Sequence, residues 1–171
     1  MSVWWWLKRK GFKATRLNIK LGGVGEVELT PNTQDLNIAH QIWTELVTRK
    51  AAIPIDPEHD VIHEVYDSLY HLFGRVRLLI ADIPATQIYD YESTRMLVDI
   101  GVKTLNQGLR PHLTRLQARY RHWYAQAREK NPSLSPQELQ QTYSDYDELI
   151  TDMTTINEQL QEYADELKKL L

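Results

Sequence analysis

The chain has no cysteine, which excludes disulfides, thiolate metal sites and cysteine nucleophiles together. Long apolar runs are missing as well. A membrane-spanning helix needs roughly 18 continuous apolar residues, and the short VWWWL run near the start is cut off at Lys8. The order of that segment does not fit a secretory signal either, since the charge follows the apolar residues and no small-residue cleavage site appears. Phosphate-loop chemistry finds no support: the GGVG at 22–25 does not match the GxGxxG pattern. No serine lies in a nucleophile-elbow context. These absences predict a cytoplasmic protein, with peripheral membrane contact left to its N-terminal residues, and no cofactor is expected.

What is present fits one buried core. The 171 residues are 42% hydrophobic and 25% charged, too apolar for wholesale disorder and long enough for a single domain over 15–171. The net charge of −3 conceals a segregation. Residues 1–20 hold six of the 20 basic residues and no acid, leaving 14 basic against 23 acidic residues in the remainder. A basic arm therefore precedes an acidic body, and the arm calls for an anionic partner. Within residues 1–14 the arm also carries Trp4, Trp5 and Trp6 beside Lys8, Arg9 and Lys10. Tryptophan favours a membrane interface and lysine or arginine an anionic surface, so residues 4–13 read as a tether to an anionic membrane or to a partner protein.

Periodicity sets the architecture. Leu17, Ile19 and Leu21 alternate before Gly22-Gly23, and Val27 and Leu29 alternate after it, which predicts a β-hairpin with strands at 15–21 and 25–30. The period then changes to that of a helix. Leu36, Ala39, Ile42, Trp43 and Leu46 predict a first helix over 33–50, capped by Asn32 or Thr33 and stopped by Pro54 and Pro57. A second helix is expected over 57–81 and a third over 93–130, bent at Pro111. The fourth, over 136–170 after a Ser135-Pro136 cap, carries a heptad-like seam. At 1.5 Å per residue its 35 or so residues would reach about 50 Å, beyond the first two helices, so its far end is expected to pack on the bent third helix, to pack on another chain, or to be partly exposed. The expected fold is mainly α, an antiparallel four-helix bundle with a long C-terminal helical hairpin and a short N-terminal β-hairpin.

Two clusters could carry chemistry. In EHDVIHEVYD, His59 and His63 stand four apart, a spacing that can grip a metal from one helix, with His40, His71 or His112 as further donors. Acids crowding the first turn of a helix are equally explained by its dipole. In LRPHLTRLQARYRHWY, the residues His112, Arg115, Arg119 and His122 form a positive stripe at spacing 3, 4, 3 beside the apolar seam of Leu109, Leu113, Leu116, Tyr120 and Trp123, and Arg110 joins them as a binding candidate. Such a stripe suits an acidic protein surface before a nucleic-acid backbone.

Arg115 and His122, with six residues between them, resemble the Arg-x4-6-His motif of HEPN-type ribonucleases, helical bundles common in bacterial toxin and phage-defence systems. The resemblance implies that Arg115 would steady the scissile phosphate and His122 would support proton transfer from the 2′-hydroxyl. Without a complete catalytic signature, the leading expectation is a non-enzymatic interaction or adaptor subunit. It would meet a protein partner, or a second copy of itself, through the third and fourth helices. A ribonuclease of this type comes second and a metal-binding bundle third.

Overall fold

The computed structural model describes residues 12–171. The arm residues Trp4, Trp5, Trp6, Lys8, Arg9 and Lys10 lie outside the described residues. A two-stranded antiparallel hairpin, β1 (Thr15–Ile19) and β2 (Gly25–Leu29), pairs Leu17 with Val27 and Arg16 with Glu28. Six helices follow among the described residues: α1 (Thr33–Val47), α2 (Ile62–Ala81), α3 (Ala85–Asp90), α4 (residues 92–130), α5 (Pro136–Gln140) and α6 (Tyr146–Lys168). None is long and apolar enough to cross a membrane.

The hairpin turn requires glycine for two reasons. Gly22 has a φ of 70°, and a Cβ there would come within 2.5 Å of the Lys103 carbonyl oxygen. The turn is thereby pressed against the middle of α4, where a Cβ on Gly108 would in turn strike the Leu21 side chain.

Helix α1 begins with a capping box. The Asn32 side chain accepts from the Asp35 amide at 3.0 Å, and the Asp35 carboxylate accepts from the Asn32 amide at 2.8 Å. Asp35 is fully buried because it also accepts from the hydroxyls of Ser93 and Thr94 at the start of α4, tying two helix ends together.

Two expectations need correction. The second helix starts at Ile62 instead of 57, because the Asp56 carboxylate draws in the amides of Glu58 and His59 and closes a turn of its own. The first amide of α2 is satisfied from elsewhere: Gln140 of α5, fully buried, accepts from Ile62 N at 2.9 Å and donates to the Asp60 carbonyl at 2.9 Å.

The fourth helix is not continuous. It breaks between Gln140 and Tyr146, and the break lets Tyr143 turn inward against Trp123 and Tyr120, with ring centroids 4.8 and 5.4 Å apart. The 23 residues of α6 span only about 35 Å. Its far end does not overhang, since β1 covers it: the Asn18 amide donates to Glu166 at 2.8 Å, Lys20 pairs with Glu162 at 2.8 Å, and Leu17 and Ile19 join Leu167 in the core.

At Pro111, where a bend is expected, the helix departs from regular α geometry. Proline has no amide hydrogen to return to the preceding turn. The helix absorbs this by widening on both sides, with π-helical turns at Thr104–Leu109 and Leu113–Gln117 around the single α turn Arg110–His112. The Arg110 amide reaches back five residues to the Leu105 carbonyl. Underwinding moves the buried edge. It runs through Leu105, Leu109, His112, Leu116, Tyr120 and Tyr124, so His112 replaces Leu113 and Tyr124 replaces Trp123 as the buried positions.

The core that unites these elements includes Ile42, Leu46, Leu72, Leu109, Leu149 and Leu160. Burying each such side chain contributes about 1.5–3 kcal/mol before entropy is counted. Asn157 is one of several buried polar groups beside this core. Asn157 of α6 donates through its amide nitrogen to the carbonyls of Lys50, Ala51 and Ile53 at 2.8–3.0 Å, and its oxygen accepts from the Ile55 amide. The loop between α1 and α2 is fixed by this one side chain.

Candidate functional site

Of the positive stripe expected on α4, Arg115, Arg119 and His122 are exposed and His112 is buried. His112 lies in the core, its side chain 1% exposed, with Nδ1 donating to the Asp152 carboxylate of α6 at 2.5 Å. Arg115 lies outside and reaches the other oxygen of the same carboxylate at 3.0 Å. Burial holds the His112 imidazole below its ordinary range, against the raising effect of Asp152. Burial also works against the Asp152 charge, but hydrogen bonds from His112 and Arg115 together hold its carboxyl below the usual range. The pair is thus a neutral imidazole donating to an ionised carboxylate.

The second ring nitrogen of His112 faces Tyr66, at a ring-centroid distance of 5.5 Å, and has no polar partner among the described residues. Burial pushes the Tyr66 and Tyr120 phenols well up, so both stay protonated. This group ties α2, α4 and α6 together without an opening to solvent at His112.

Arg115 and His122 do not share a partner. Arg115 is held by Asp152, and a hollow beside it is lined by Asp147, Glu148, Thr151 and Thr155 of α6. His122 is exposed and meets Gln126 at 3.2 Å. Arg119 is exposed and makes no ion pair among the described residues. The remaining binding candidate, Arg110, points to the other side of α4, towards α2.

The pair proposed for metal, His59 and His63, is not on one helical face, because His59 belongs to the turn before α2. His59 bonds the Asp56 carboxylate at 2.8 Å, which raises its pKa, while His63 stacks on Tyr124 with ring centroids 5.6 Å apart. Among the described residues no three histidine, aspartate or glutamate side chains converge as metal ligands.

A groove that sequence reasoning missed lies between α2 and the underwound part of α4. Tyr70, Phe73, Gly74 and Arg77 form one wall, and Arg110, Leu113, Thr114 and Gln117 form the other, around about 360 Å³. A smaller hollow of about 160 Å³ continues it past Ile80, Val102 and Leu105, again bordered by Arg77 and Arg110. No carboxylate lines either part. The Arg110 guanidinium lies over the Phe73 ring at 4.9 Å and donates to Asn106 at 3.1 Å. Arg77 makes no hydrogen bond or ion pair among the described residues.

Other surface arginines behave differently: Arg75 is paired with Glu45 at 3.0 Å and Arg121 with Asp67 at 2.7 Å. Gln117 is 8% exposed, and its amide nitrogen has no partner among the described residues. The sequence signal that could have exposed this groove is Gly74, an isolated glycine inside the apolar period of HLFGRVR. Comparison with known protein families, with characterised proteins and with solved structures finds no match to this chain.

Proposed function

We propose that the chain is a non-enzymatic interaction module of a larger assembly, docking an acidic protein partner on the face where α2 meets α4. The observation that supports this reading is the acid-free groove. Arg77 and Arg110 border it without a carboxylate, in a body whose acidic residues outnumber its basic ones. In the groove lining, Tyr70 and Val102 are exposed apolar side chains suited to the dry part of a contact. The basic, tryptophan-bearing arm would supply a second point of attachment to an anionic surface.

The test is binding of a labelled amphipathic peptide rich in glutamate and leucine, followed by fluorescence anisotropy at two salt concentrations. Two exposed arginine contacts of about 0.5 kcal/mol each give roughly a fivefold loss on neutralisation. Arg77→Glu with Arg110→Glu adds repulsion and should weaken binding by more than that. Equal binding by the wild type and the double variant overturns the reading.

A further inference from the structure

We infer that the groove holds a subsite for a single oxyanion, a carboxylate or phosphate carried on an apolar stem, clamped at its edge between Arg77 and Arg110. This deepens the interaction reading and rests on it. Gly74 is the independent observation. A glycine inside a helix costs about 1 kcal/mol relative to alanine, and most helical glycines that persist have a close neighbour that forbids a side chain. Here there is none, because a Cβ at Gly74 would meet nothing within 4 Å. The missing side chain leaves open space, and that space is the groove.

The opposite wall shows a matching arrangement. The π turns on either side of Pro111 place Arg110 at the groove edge and bring Gln117, its amide nitrogen unpartnered among the described residues, into the lining. Underwound turns of this kind often mark binding positions. Two guanidinium groups with no carboxylate near them are a strong recognition element for an oxyanion. Phe73 and Leu113 supply the apolar sides for its stem, and the volume falls within the range of small-ligand sites.

The full chain is titrated with phenyl phosphate and with 3-phenylpropionate, which share an aromatic stem and differ in the oxyanion; 3-phenylpropanol is the uncharged control. Binding is read from amide shifts in two-dimensional NMR. One or both anions should shift the amides of Gly74 and Thr114 saturably, with the alcohol at least tenfold weaker. The stronger anion identifies the source as a phosphorylated or a carboxylate group.

Gly74→Leu fills the groove without meeting another atom at its Cβ, so it should fold at least as stably as the wild type and lose anion binding at least tenfold. Gly74→Ala should retain most of it, and Arg110→Gln should weaken it about tenfold. The inference is overturned if neither anion binds below about 10 mM, or if Gly74→Leu binds as the wild type does. Should the acidic peptide still depend on Arg77 and Arg110 but ignore Gly74→Leu, the subsite fails while the interaction reading stands.

Discussion

Replacing Asn157 by alanine removes the side chain that holds the loop between α1 and α2. In the intact protein its two amide hydrogens are shared among the carbonyls of Lys50, Ala51 and Ile53, and its oxygen takes the Ile55 amide at 3.3 Å and Gln161 at 2.8 Å. Asn157 is 4% exposed, so water does not replace these bonds freely. Two donated bonds at about 1 kcal/mol each, and about 1–2 kcal/mol for leaving the buried Ala51 carbonyl unpaired, give a loss of about 3–4 kcal/mol. For a chain of this length each kcal/mol lowers Tm by about 2–4 °C, so the expected fall is about 6–16 °C.

Urea unfolding followed by circular dichroism measures the loss, with an unchanged slope confirming that the unfolded state is the same. Asn157→Asp is the sharper control. It keeps the volume, loses both donors and sets a negative charge among carbonyls, so at pH 7 it should be at least as damaging as alanine. A loss below about 1 kcal/mol for alanine, or wild-type stability for aspartate, refutes the assignment of the loop to this side chain.

Thermal melts of Gly22→Ala and Gly23→Ala separate backbone strain from collision. Both glycines have positive φ, but only at Gly22 does a Cβ meet another atom, the Lys103 oxygen at 2.5 Å. Gly23→Ala should cost about 1 kcal/mol and Gly22→Ala clearly more, above about 2 kcal/mol; equal costs would remove the collision from the account. Acid sensitivity tests the His112–Asp152 pair. Burial holds His112 below 6.5, so between that value and its lower folded value the unfolded chain takes up a proton that the folded chain does not, and stability falls as pH drops. Asp152, held below 3.8, adds its loss only at lower pH. Urea midpoints at pH 7 and 5.5 should differ for the wild type and differ less for His112→Asn, which keeps a donor for Asp152; an identical difference in both would place the acid sensitivity elsewhere.

The hairpin and the long helices were legible because each rests on a local period. Leu17 and Ile19 alternate, Ile38, Ile42 and Leu46 recur at helical spacing, and both the Asn32 and Ser135 caps carry an acid three residues on. What escaped depends on bonds between distant positions. Nothing near Ile62 announces that Gln140 will complete its helix, and nothing near Asn157 marks it as the partner of three carbonyls about a hundred residues earlier. The inward turn of His112 escaped for a different reason. The stripe was drawn on an ideal α-helix, and the π turns around Pro111 shift the buried edge onto His112 in place of Leu113. The groove was hidden because half of it belongs to α2, and Gly74 acquires meaning only beside Arg110.

The contact of β1 with the end of α6 joins positions 148 apart in sequence, from Asn18 to Glu166. The hairpin precedes α6 in the chain, and the outer part of its cover comes from that helix. A two-stranded ribbon alone is marginal in water, so Leu17 and Ile19 lack part of their cover until α6 has formed. Loop closure over that length is slow compared with local helix formation. The order of folding follows: the helices can form on their local contacts, and the hairpin settles only once α6 is in place to receive it.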